Sequence, residues 1–200
     1  MAKTYLALGD SYTIGEAVAM HENFPHQLVK NLADKDIFFE APLIVAQTGW
    51  TTAELMDAIN QKAIKPPFDL VTLLIGVNNQ YRGLDMNEYE KHFEELLNQA
   101  IVFAGGNKNH VIVISIPDWG VTPFAADRDR NTISKEIDAF NNINKKISKT
   151  HQVHYVDITP GSRLSNADNS LLASDGLHPS AKEYSRWTRL ILPIATSLFK

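Results

Sequence analysis

Five short apolar runs constrain this chain more than any other feature. Residues 69–75 read "DLVTLLI" and residues 111–116 read "VIVISI". Neither run alternates, so a strand built from either one is apolar on both faces. Strands of that kind belong to parallel sheets covered by helices on each side. Similar runs fall at Thr4–Leu8, Leu43–Ala46 and Val153–Val156. Between them lie segments with helical spacing. Asn23 and Pro25 open a helix over His26–Ala33. Thr51 or Thr52 caps a helix carrying Leu55, Ile59 and Ile64, and Pro66-Pro67 stops it. Met86–Phe103 places Tyr89, Phe93, Leu96, Leu97 and Ala100 on one stripe. Ile133–Ile147 does the same with Ile133, Ile137, Phe140, Ile143 and Ile147. Ala181–Phe199 closes the chain as a helix, with a kink at Pro193. This order predicts an α/β fold with a five-stranded parallel sheet. A length of 200 residues, without repeat or linker, fits one domain over 1–200.

Composition removes several function classes. The net charge is -4 and no Lys/Arg run occurs, so no nucleic-acid partner is expected. No apolar stretch approaches the ~20 residues of a membrane span. The chain has no cysteine, which excludes disulfides, thiolate metal sites and cysteine nucleophiles. The first residues run straight into strand pattern without the basic start and cleavage site of a signal peptide, so a cytoplasmic location is expected. His151 and His154 are three apart with Asp157 nearby. On a strand they point to opposite faces, so no metal site is expected.

In an open parallel sheet, ligands bind beyond the carboxyl ends of the strands. The residues there are polar. Gly9, Asp10 and Ser11 follow the first run, and Gln47, Thr48, Gly49 and Trp50 the second. Gly76, Val77, Asn78 and Asn79 follow the third, and Pro117, Asp118 and Trp119 the fourth. Asp157 follows the fifth and leads into a long aperiodic segment, Thr159–Asp175, before His178. Taken alone, Ser11 is a turn residue or helix cap, Gly49 a positive-φ position and Asn78 a turn former. Asp175-Gly176 is a turn pair, and His178 before Pro179 is a surface histidine. Together they form the inventory of acyl transfer: a serine nucleophile, a histidine base, a carboxylate to orient it, and donors for an oxyanion.

Four blocks carry a family resemblance: "GDSYTIG" with Ser11, "QTGWTT" with Gly49, "GVNNQ" with Asn78 and "DGLHPS" with Asp175 and His178. In this order the chain resembles the SGNH hydrolases, the GDSL-type esterases and lipases. The resemblance implies a flavodoxin-like three-layer sandwich with strand order 2-1-3-4-5. It implies catalytic Ser11, Asp175 and His178, an oxyanion hole from the Ser11 and Gly49 amides and the Asn78 side chain, and neither metal nor organic cofactor. Two blocks depart from the family pattern. Asn79 stands where an aspartate is frequent, and the first block runs on as "YTIGEA" without the leucine of the family name.

The expected activity is hydrolysis of short acyl or acetyl esters of small alcohols or carbohydrates through an acyl-enzyme on Ser11. Acyl transfer and lysophospholipase or thioesterase action use the same residues. A non-catalytic flavodoxin-like binding module is the alternative from another class. Trp50, Asn79 and Trp119 are candidates for a substrate pocket, against loop packing for the tryptophans. Tyr81 and Arg82 are candidates to meet a polar leaving group, against a solvated surface role for Arg82. A small-molecule ester is the expected partner, and the oligomeric state is left open.

Overall fold

The computed structural model describes residues 2–200. Five strands, β1 (Tyr5–Asp10), β2 (Leu43–Gln47), β3 (Leu70–Leu74), β4 (Val111–Ile114) and β5 (His154–Val156), form one sheet in the order β2-β1-β3-β4-β5. Every pair is parallel. The register pairs Gly9 with both Ala46 and Leu74, so the ends of β1, β2 and β3 reach the same edge. The central strands are buried along their whole length, as their unbroken apolar runs require.

The longer helices are α2 (Phe24–Ala33), α3 (Thr52–Gln61), α5 (Met86–Phe103), α6 (Arg130–His151) and α8 (Ala181–Ser197). Two short ones, α1 (Ser11–Ile14) and α4 (Val77–Tyr81), follow β1 and β3 directly, and α7 (Thr159–Ser162) follows β5. Packing divides the long helices into two groups: α2 lies on α8, while α5 packs on both α3 and α6. Right-handed crossovers place these groups on opposite faces of the sheet.

Local chemistry sets the boundaries. Asn23 caps α2 by accepting the His26 N–H at 3.0 Å, with Pro25 in the first turn. Thr51, not Thr52, caps α3, in a capping box completed by Glu54. That helix ends at Gln61, well before Pro66. β1 runs two residues past its last apolar residue, to Asp10, because Gly9 and Asp10 still pair with β2. The segment 159–175 is not featureless: it holds α7 and short 3₁₀ turns at Arg163–Asn166 and Asn169–Leu171. Pro193 lies inside α8, which continues to Ser197. His151 is the last residue of α6 instead of a strand residue, and its Nε2 pairs with Glu94 at 2.8 Å. Among the described residues no helix is long and apolar enough to cross a membrane.

Candidate active site

The edge shared by β1, β2 and β3 carries the serine. Gly9 has no room for a side chain: a Cβ there would collide with the Thr13 hydroxyl and the Leu74 carbonyl. This close approach seats α1 directly on the strand end. Asp10 caps α1, accepting the Tyr12 N–H at 3.0 Å, and Ser11 is the first helical residue. The Ser11 hydroxyl is thereby held at the rim, 3.0 Å from His178 Nε2.

His178 comes from the loop before α8. Asp175 Oδ1 accepts the backbone N–H groups of Leu177 and His178, both at 3.0 Å, which folds the loop back on itself. Asp175 Oδ2 then receives the ring N–H of His178 Nδ1 at 2.6 Å. That bond fixes the tautomer and leaves Nε2 to accept from the Ser11 hydroxyl. Burial opposes ionisation of Asp175. The hydrogen bonds from the His178 ring and from the two amides outweigh it and hold the carboxyl below its ordinary value. The loop is tied down by the Ala173 N–H to the His178 carbonyl at 2.8 Å, and Ser180 caps α8 behind it.

Gly49 sits in the turn after β2 with φ +84°, a conformation that favours glycine. Among the described residues its N–H meets no protein acceptor. Its carbonyl accepts from Arg82 Nη2, and Arg82 Nη1 lies 3.3 Å from Glu54. Arg82 is therefore a brace on the glycine turn and not a free surface charge. Asn78, at the start of α4, donates from Nδ2 to the Trp50 carbonyl at 2.9 Å and lies 3.4 Å from Asp10 Oδ2. Asp10 is fully buried, and burial raises its carboxyl to about 7.

A cavity of about 180 Å³ opens over these groups. Ser11, Gly49, Asn78 and His178 line its polar side, with Thr48 and Tyr12. Val77, Tyr81, Trp119, Phe124 and Leu177 line its apolar side. Three of these are a mutual aromatic cluster: Tyr81 lies 5.3 Å from Trp119 and 6.3 Å from Phe124, and Trp119 lies 5.9 Å from Phe124 between ring centres. Trp119 is held from behind, its indole N–H donating to Gln80 at 2.6 Å and Gln80 in turn to Glu136 at 2.7 Å.

Of the three pocket candidates named from the sequence, Trp119 lines the cavity and two do not. Asn79 is buried and turned toward α3, where it accepts the Thr52 N–H at 3.0 Å and donates to the Thr52 hydroxyl at 2.8 Å. An aspartate could accept there but could not donate. Trp50 contributes its backbone carbonyl to Asn78 while its ring packs on the hydrophobic core. Sequence reasoning missed Phe124. The signal available was an aromatic residue in the Pro-containing loop that follows β4.

Comparisons with known proteins agree with this fold. The chain is 24% identical over 202 residues to the spore germination lipase LipC of Bacillus licheniformis, covering 92% of both chains. Three solved structures are similar in fold. One is TesA (TM-score 0.75, 17% identity, 98% of this chain and 100% of that one). Another is the acetylxylan esterase Axe2 of Geobacillus stearothermophilus (0.73, 18%, 96% and 94%). The third is a lipase/acylhydrolase from Enterococcus faecalis (0.72, 22%, 99% and 97%). Residues 7–186 match the model of the GDSL-like lipase/acylhydrolase family. That span runs from β1 through Ser11 and His178 into α8, so the chain belongs to the GDSL-like lipase/acylhydrolase family and with it to the carboxylic ester hydrolases.

Proposed function

We propose that this protein hydrolyses esters of short acyl chains through an acyl-enzyme on Ser11. The observation that carries the reading is the line Asp175–His178–Ser11, with contacts of 2.6 and 3.0 Å, on the floor of an open cavity. His178 Nε2 takes the Ser11 proton as Oγ bonds to the ester carbonyl carbon. Asp175 stabilises the imidazolium without itself being protonated. The oxyanion is met by the Gly49 N–H, the Ser11 N–H and the Asn78 amide. His178 then protonates the leaving alkoxide as the C–O bond breaks, and water deacylates Ser11 by the same path.

The volume argues for small substrates. About 180 Å³ falls below the ~300–1,000 Å³ of pockets that take drug-sized ligands. The apolar wall of Tyr81, Trp119 and Phe124 suits a short acyl group better than a bare sugar, which asks for more hydrogen-bonding groups than this side offers.

The test is hydrolysis of p-nitrophenyl acetate, butyrate and octanoate by wild type and Ser11→Ala. We expect acetate or butyrate to be preferred and the alanine variant to be inactive. Wild-type turnover by Ser11→Ala would sink the assignment of the nucleophile, and a preference for octanoate would sink the short-chain reading.

A further inference from the structure

Asp10 is a buried carboxyl that the catalytic triad does not use. Among the described residues it pairs with no cation. Burying such a group is costly, and capping α1 does not require it, since Ser or Asn caps a helix equally well. What an aspartate adds is a second acceptor on the same side chain. Oδ1 takes the Tyr12 N–H at 3.0 Å, while Oδ2 lies 3.4 Å from Asn78 Nδ2. The other neighbour of that nitrogen is also an acceptor, the Trp50 carbonyl at 2.9 Å. Two acceptors around one end of an amide select its orientation: flipped, Asn78 would set its own oxygen against both. The contact to Asp10 is at the long limit of a hydrogen bond. One Asn78 hydrogen is thus committed to Trp50, while the second is only loosely held and can pass to an oxygen in the cavity.

We propose that Asp10 is a positioning residue: it fixes the Asn78 amide so that Nδ2, and not Oδ1, faces the oxyanion, and it does so from the same side chain that caps the nucleophile's helix. The proposal rests on the serine-esterase reading above, through Asn78 as an oxyanion donor.

Asp10→Asn is the discriminating variant. Its oxygen can keep the Tyr12 cap, but its NH₂ then faces the Asn78 NH₂, donor against donor. The experiment measures kcat and KM for p-nitrophenyl butyrate in wild type, Asp10→Asn, Asn78→Ala and the double variant. Complete labelling of Ser11 by a fluorophosphonate checks that the nucleophile turn is intact. Losing one oxyanion donor typically lowers kcat by ~10²–10³-fold. Asp10→Asn should lose part of that, about 10–100-fold in kcat, with KM changed by less than about threefold. In the Asn78→Ala background the same change should cost less than about threefold, because the group it positions is gone. Asp10→Ser, which keeps one acceptor for the cap, should show the same non-additivity and serves if the asparagine variant does not fold.

Unchanged kcat in Asp10→Asn, or an equal loss in both backgrounds, would overturn the proposal while leaving the esterase standing. Failure of the underlying reading looks different: Ser11→Ala or Asn78→Ala would then turn over at the wild-type rate.

Discussion

Of two clefts at the carboxyl edge of the sheet, the larger is not the one to which the reaction is assigned. At the ends of β4 and β5 a cleft of about 320 Å³ is lined by Asp138, Lys145, Tyr155, Asp157 and Arg163, among others. It is richer in charge than the 180 Å³ cavity over Ser11. Its polar groups, however, are largely spent on the protein itself. Arg163 donates to Asp118 at 2.8 Å and to Asp138 at 2.7 Å. Asp157 accepts from the Ser115 hydroxyl at 3.1 Å and the Thr159 N–H at 3.2 Å. The smaller cavity contains the opposite arrangement: a serine already hydrogen-bonded to a histidine, and a glycine N–H with no acceptor among the described residues. Charge that is internally paired stabilises structure. Donors and nucleophiles held in place but left incomplete are what chemistry needs.

The contrast can be broken by substitution. The largest effect belongs to the smaller cavity: His178→Ala should lower kcat by ~10⁴-fold or more, since triad members act as a unit. Residual activity within tenfold of wild type on p-nitrophenyl butyrate would remove His178 as the base. Next comes Asn78→Ala, with ~10²–10³ lost in kcat and a stability loss of only about 1–3 kcal/mol, from the Trp50 carbonyl left without its donor. The larger cleft should respond the other way. Arg163→Ala strands the Asp118 carboxylate, which is fully buried. It should cost about 2–4 kcal/mol in denaturant unfolding, near the lower end for a broken buried pair because Arg163 is partly exposed. Its kcat should move by less than about threefold. A large loss of turnover without loss of stability would show that this cleft also takes part in the reaction.

Two smaller effects sharpen the picture. Asp10 carries a folded-state value of about 7 against an ordinary 3.8. A raised carboxyl contributes most to stability below its ordinary value, and that contribution is lost as pH rises through 7. Asp10→Asn cannot ionise, so its melting temperature relative to wild type should climb between pH 5 and pH 8. A difference that stays flat would contradict the burial penalty. Last, Trp119→Ala enlarges the apolar wall. It should shift the butyrate-to-octanoate ratio of kcat/KM about tenfold toward octanoate, near the lower end of the ~1–3 kcal/mol that a methylene-scale change in a pocket is worth.

The layers of the fold were legible because periodicity is local. Met86–Phe103 and the starts of β2 and β4 need no tertiary information to be seen. The parts of the site that lie on the chain's own turns were also legible, since Gly-Asp-Ser and Asp-Gly-Leu-His each carry their geometry within a few residues. The cavity wall was less so. Asn78 and Asn79 are adjacent and chemically identical, yet α4 turns one toward Asp10 and the other toward Thr52. Trp50 and Trp119 both follow strand ends, yet only Trp119 finds a partner, Gln80, that holds its ring at the cavity. Such choices depend on contacts between residues 27 to 68 positions apart, and no window of sequence contains them.

The packing of α8 has a consequence for how the protein is made. His178 and Asp175 immediately precede a helix that rests on α2. Gln27 reaches the Ala181 carbonyl at 3.0 Å, and the Tyr184 hydroxyl reaches the Tyr12 carbonyl at 3.0 Å. On a translating ribosome, Ser11 therefore emerges more than 160 residues before the histidine it bonds to. Until α8 leaves the exit tunnel and docks, the proposed nucleophile lacks the His178 contact that would activate it. The appearance of esterase activity during synthesis would then be a clock for completion of the fold.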